Sequence, residues 1–119
     1  MNAVTIYQGD TWKPAIAVKS VDATTLVESA FNCTGYTAYL LIKTGFNETL
    51  AAVNKITVTW SAQSTGAGYF NCTNAISKLL ENKRYAYEVK LQKDDASEVY
   101  TLDQGYLTVA PALEKDLPL

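Results

Sequence analysis

Residues 84–92, RYAYEVKLQ, alternate without a break. Tyr85, Tyr87, Val89 and Leu91 fall on one side, and Arg84, Ala86, Glu88, Lys90 and Gln92 on the other. A period of two over such a span is a half-buried antiparallel strand, one face on a core and the other in water. Lys93-Asp94-Asp95-Ala96-Ser97 then supplies turn chemistry, and EVYTLDQGYLTVAP reads as the returning strand of a hairpin. Gly105 in that strand marks a bulge or a close approach of backbone.

The same grammar repeats along the chain. Val4 and Ile6 alternate before the turn-like Gln8-Gly9-Asp10. Trp12, Pro14, Ile16 and Val18 share a face opposite Lys13 and Lys19, and Pro14 puts this stretch at a sheet edge or breaks it there. GYTAYLLIK is apolar on both faces, as a central strand would be. Ile56, Val58 and Trp60 alternate with Thr57 and Thr59, and Gly66-Ala67-Gly68-Tyr69-Phe70 reads as a strand entered through glycines. Only residues 74–81 suit a helix, of barely two turns, which reads as a crossing between sheets.

Seven or eight short antiparallel strands with one short helical connection give an all-β expectation, an immunoglobulin-like β-sandwich over residues 1–110. A small barrel fits the same strand count. A tyrosine after the corner at residues 79–83 suits the sandwich, where its hydroxyl would tie the corner to backbone. Residues 111–119, PALEKDLPL, read as an exposed C-terminal arm.

Composition narrows function by exclusion. A net charge of −2 with 18% charged residues offers no basic stripe for phosphates, so no nucleic-acid partner is expected. No apolar run is long enough for a membrane helix. MNAVTIYQGD lacks the basic and apolar regions of a secretory signal, so a chain starting here is expected to remain in the cytosol.

The chain's two cysteines sit in matching tetrads, Phe31-Asn32-Cys33-Thr34 and Phe70-Asn71-Cys72-Thr73. A disulfide is disfavoured because the two sites fall at opposite ends of the inferred sandwich, beyond the roughly 7 Å a bridge spans. Both tetrads read as glycosylation sequons, but so does Asn47-Glu48-Thr49, and a cytosolic chain would not be glycosylated. With no histidine, a metal set is not expected. The tetrads read as a coincidence of local needs, with buried, reduced cysteines.

The same lack of histidine removes Ser-His-Asp and Cys-His catalysis. Glu28, Asp94, Asp95 and Glu98 fall in turns, where solvated charge is the ordinary explanation. Gly66-Ala67-Gly68 lacks the helix and lysine of a phosphate loop. Residues 8–11 offer too few oxygens for calcium. No enzyme activity and no cofactor are expected. Trp12, Trp60, Tyr85 and Tyr87 belong to the core face, whereas Tyr7, Tyr39, Tyr100 and Tyr106 are freer; a row of them would mark an interface.

The layout VTIYQGDTWKPAIAV, FNCTGYTAYLLIK, KITVTWSAQSTGAGYFNCTNAISKLLENKRYAYEVKLQ and VYTLDQGYLTVAP resembles immunoglobulin-like modules of tailed-phage virions. It is most similar to those at the N-terminus of baseplate upper proteins, with related tail, neck and head-fibre proteins. Glu81-Asn82-Lys83-Arg84 stands where those modules carry a small residue before the Tyr-x-Tyr strand. The resemblance implies a non-enzymatic virion protein, made in the bacterial host's cytoplasm, contacting other virion proteins and itself as a homo-oligomer. A carbohydrate- or receptor-binding sandwich is the alternative, and a secreted domain with a Cys33–Cys72 bond is a third. Because edge strands and extended arms make contacts, the expected interface is Trp12, Lys13 and Pro14 with Pro111, Leu113, Leu117 and Leu119.

Overall fold

A computed structural model describes residues 2–47 and 52–113. Among them the chain is all-β. The strands are β1 (Asn2–Tyr7), β2 (Ala15–Ala17), β3 (Lys19–Val21), β4 (Glu28–Ala30), β5 (Tyr36–Lys43), β6 (Asn54–Thr57), β7 (Thr59–Ala62), β8 (Ala67–Tyr69), β9 (Arg84–Lys93) and β10 (Val99–Ala110). A five-stranded sheet runs β1-β10-β9-β5-β6, a three-stranded one β2-β8-β7, and β3 pairs with β4 as a separate hairpin.

The two larger sheets enclose one core. Tyr85, Tyr87, Val89 and Leu91 of β9 are buried, joined by Ala38, Leu40 and Ile42 of β5 and Leu107 and Val109 of β10. Phe70, just past β8, is fully buried, and Ile16 and Trp60 pack inward from the three-stranded sheet. The alternation expected for β9 holds on its apolar side, and β5 lies inside the sheet between β9 and β6.

Three expectations change. The segment carrying Ile56, Val58 and Trp60 is two strands: β6 leaves the five-stranded sheet, Val58 donates its N–H to the Ala38 carbonyl at 2.9 Å, and β7 enters the other sheet. The irregularity in β10 falls at Leu102, between Thr101 and Asp103, while Gly105 keeps regular register with Tyr87 and Asn2. Asp103 explains the place: its Oδ1 accepts the Gln104 N–H at 2.9 Å and its Oδ2 the Tyr87 hydroxyl at 3.3 Å. The helical connection is one turn, α1 (Asn74–Ser77), capped by the Thr73 side chain. With the β3–β4 hairpin these changes bring the described strands to ten.

The corner expected near residues 79–83 is present. Tyr85 Oη accepts the Glu81 N–H at 2.9 Å, Gln8 Nε2 donates to the Leu80 carbonyl at 2.9 Å, and Ser77 Oγ donates to the Asp10 carbonyl at 2.6 Å. These bonds fasten the β8–β9 crossing to the turn after β1.

Candidate functional site

β2 is an edge strand with a hydrogen-bonding rule that decides what it exposes. Even-numbered residues face β8: Trp12 and Cys72 exchange backbone bonds at 2.9 Å, the Pro14 carbonyl accepts from Phe70 N–H at 3.0 Å, and Val18 N–H reaches the Gly66 carbonyl at 2.9 Å. Ile16 opposite Gly68 continues the series. Backbone groups alternate sides along a strand, so Lys13, Ala15 and Ala17 turn their N–H and C=O away from β8. Among the described residues nothing pairs with them.

Beneath that open edge lies an apolar cleft of about 400 Å³ between the two sheets. Val4, Trp12, Pro14, Ile16, Leu40, Phe70 and Val89 line it, with Leu102 of the bulge and Asp103 at its rim. Trp12 stands edge-on to Tyr87, ring centroids 5.8 Å apart. Pro14 fits here for a physical reason. It stands immediately before β2, where the one bond to β8 that it cannot donate falls outside the strand, and its ring lies in the cleft wall.

The expected interface residues therefore divide. Trp12 and Pro14 meet in the cleft wall, and Lys13 projects outward with its ammonium 5.9 Å from the Tyr69 ring centre. Pro111 and Leu113 are exposed beyond β10 and do not line the cleft. Leu117 and Leu119 lie outside the described residues. Sequence reasoning missed Val4, Leu40, Phe70, Val89 and Leu102, which come from separate parts of the chain and have no local signature.

A second concavity, about 250 Å³, lies on the outer face of the five-stranded sheet. The loop after β5 folds over that face and sets Phe46 edge-on to Tyr106, centroids 5.1 Å apart. Its floor is polar: Glu88 bridges Lys90 at 3.1 Å and accepts from Gln104 Nε2 at 2.6 Å. Burial pushes the Glu88 carboxyl up, and the bonds from Gln104 and Lys90 outweigh it, leaving it below its ordinary value. The freer tyrosines form no open row. Lys55 covers Tyr39 at 5.1 Å and Arg84 covers Tyr106 at 4.3 Å, while Tyr7 and Tyr100 are exposed on different strands.

Of the four carboxylates expected in turns, Glu28 is instead the first residue of β4, and all four have partners. Glu28 pairs with Lys19 at 3.6 Å, Asp94 accepts from Thr37 Oγ1 at 2.8 Å, and Asp95 accepts the Ser97 N–H at 2.9 Å. Glu98 accepts hydroxyls from Tyr100 at 2.7 Å and Tyr36 at 2.9 Å. Those two bonds hold Glu98 below its ordinary range, and the same Glu98 bond pushes the Tyr36 phenol up to about 12. Among the described residues no group of three or more acidic or cysteine side chains is placed to hold a metal ion. No described helix is long and apolar enough to cross a membrane.

The two tetrads do different jobs. Cys33 and Cys72 are buried free thiols, and burial pushes Cys72 up to about 11. Cys33 bonds through backbone to Gln63, near the Val18 end of β2, while Cys72 bonds to Trp12 at the other end. Thr34 enters a turn on the Asn32 side chain, at 2.9 Å, whereas Thr73 caps α1, so neither threonine serves a strand.

Compared with known proteins, the chain matches no family model and no curated protein.

Proposed function

We propose that this chain is a non-enzymatic structural and assembly protein of a tailed-phage particle: a baseplate, tail, neck or head-fibre component acting through protein–protein contacts. The observation that carries the reading is the open edge of β2 above an apolar cleft, a place where a sheet accepts a neighbour's strand. The strand order supports the immunoglobulin-like sandwich that goes with it. In that topology one sheet holds strands A, B, E and D and the other C, F and G, with C′ beside C in the variable type. Here β2-β8-β7 stand as B-E-D and β5-β9-β10 as C-F-G, with β6 in the place of C′ and β1 parallel to β10. The Tyr85 bond to Glu81 is the corner such sandwiches carry at the start of strand F. Other virion proteins are the proposed partners, and neither nucleic acid nor membrane belongs to the reading.

Peptide mass spectrometry on density-purified particles from the source culture tests it. The tryptic peptides YAYEVK and DDASEVYTLDQGYLTVAPALEK are expected at stoichiometric abundance. Their absence from particles, with the protein abundant in the soluble fraction, contradicts the proposal.

A carbohydrate-binding module is the second reading. One observation favours it, the polar groove roofed by Phe46. Glycan-array binding that is lost in Phe46→Ala would move the assignment there.

A further inference from the structure

The outer face of the five-stranded sheet carries a charge that the molecule as a whole does not. The net charge is −2, yet the strand residues facing outward there hold four cations, Lys43, Lys55, Arg84 and Lys90, against one carboxylate, Glu88. Lys90 is committed to Glu88 at 3.1 Å. Among the described residues no carboxylate lies within ion-pair distance of the other three. Register sets those three in a line. Lys43 stands opposite Ala86, two residues along β9 from Arg84, and Lys55 stands opposite Leu41, two residues along β5 from Lys43. Each step crosses one strand spacing and two residues, so neighbouring cations are roughly 8 Å apart at their Cα atoms. Aromatic rings hold both ends of the line: Arg84 lies 4.3 Å from the Tyr106 ring centre and Lys55 5.1 Å from that of Tyr39. A cation resting on a ring has less side-chain freedom to lose when an anion docks.

We infer that the diagonal Arg84–Lys43–Lys55 is the docking site for an acidic segment of a partner protein, an extended stretch with carboxylates at every second residue. Charge sets the sign of the occupant, since three cations without a carboxylate of their own lie on one face. Spacing fits an extended chain. Its same-side residues recur at roughly 7 Å, and the long lysine and arginine stems absorb the difference from roughly 8 Å. The rings favour protein over sugar: Lys55 and Arg84 already cover Tyr39 and Tyr106, so those rings are not free for a sugar to stack on. The face is also no phosphate track. Glu88 interrupts it opposite Leu41, and Lys90 is spent on that carboxylate, leaving less than the continuous basic stripe a phosphate backbone needs.

The site is separate from the open edge of β2, which belongs to the other sheet. One surface would take a partner through backbone bonds and the other through charge, so a single chain could bridge two neighbours. The inference deepens the assembly reading and rests on it for the claim that the partner is a protein.

Titration of the isotope-labelled full chain with poly-L-glutamate, followed by amide chemical shifts, tests it separately from particle composition. Binding is expected at about 20 mM salt and should weaken about tenfold by about 200 mM, where screening is strong. The shifts should gather around Arg84, Lys43 and Lys55, a map that needs no variant. Lys43→Gln, Lys55→Gln and Arg84→Gln together should weaken binding about thirtyfold, roughly threefold for each exposed pair. Their side chains point away from the core, so the strands keep their pairing. Lys13→Gln, Lys19→Gln and Lys78→Gln change the net charge equally but lie off this face, and together they should cost less than about threefold. Absence of binding at low salt overturns the inference. So do shifts that fall on β2, β7 and β8, or equal losses in the two triple variants. Tighter binding of polygalacturonate, or of an oligothymidylate of equal charge, would assign the face to a polysaccharide or a nucleic acid and overturns the protein partner. Each of these leaves a positive particle analysis intact, and absence from particles leaves a measured titration standing.

Discussion

The molecule has two flanks, and the chain treats them differently. On one, β6 passes into β7 through Val58, so the strand that leaves one sheet enters the other and the seam is sealed by covalent backbone. On the other, β1 and β2 also belong to different sheets, but a turn at residues 8–10 and the Trp12–Pro14 stretch separate them, and β2 is left with an unpaired side. Both segments present apolar residues inward at every second position. The difference lies in backbone pairing, which determines whether an apolar seam is closed or available to another chain.

The largest expected effect comes from the core the flanks share. Phe70 is fully buried and forms part of the cleft wall, so Phe70→Ala should lower stability by about 3–5 kcal/mol in urea unfolding. A loss under 1 kcal/mol would mean that the cleft reaches further into the core than the geometry allows.

Gly66 comes next. It holds φ +73°, and a Cβ there would sit 2.7 Å from the Val18 carbonyl oxygen and 2.8 Å from that of Phe31. Gly66→Ala should therefore destabilise by about 2 kcal/mol or more, adding a clash to left-handed strain. Thermal unfolding checks this, and the variant should also speed amide exchange at Val18, whose N–H bonds to Gly66.

Tyr85→Phe removes the hydroxyl that accepts the Glu81 N–H, with an expected loss of about 1 kcal/mol in the same urea assay. No change in the open edge should accompany it.

The smallest effect is electrostatic, at the far end of the β9–β10 hairpin. Hydrogen bonds from Tyr100 and Tyr36 hold Glu98 below 4.5, the value an unperturbed glutamate shows. A depressed folded value stabilises the fold above pH 4.5, and that contribution disappears as pH falls through the lower folded value. The melting temperature of the wild type should thus drop between pH 5 and pH 3 by more than that of Glu98→Gln. Equal drops would show that Glu98 is not held by those hydroxyls.

Much of this was legible in the chain. Strict alternation gave β9 its buried face, and an apolar run gave β5 its place inside the sheet. The split at Val58 was not legible, because Ile56, Val58 and Trp60 keep facing one core while the backbone changes sheets. Period two reports side-chain direction and is blind to the partner strand. The β3–β4 hairpin escaped for the opposite reason: all six of its strand residues are exposed, so no burial pattern exists to read. Its only local mark is Asp22, whose Oδ1 accepts the N–H of Thr24 and Thr25 at 2.8 Å each. The bulge at Leu102 carries no glycine to announce it; the Asp103 carboxylate beside it bonds to the adjacent Gln104 N–H and to the distant Tyr87 hydroxyl. Of the cleft, Trp12 and Pro14 could be named from sequence because proline marks edges. Leu40, Phe70 and Val89 read only as core, and that they line one shared cleft is a long-range fact.

The open edge itself is tested most directly by residue-resolved hydrogen exchange of β2 in dilute solution. The account requires alternation: fast exchange at Ala15 and Ala17, slow exchange at Ile16 and Val18, which bond to β8. Slow exchange at all four amides would mean that β2 is already paired on both sides, and the open flank would not exist.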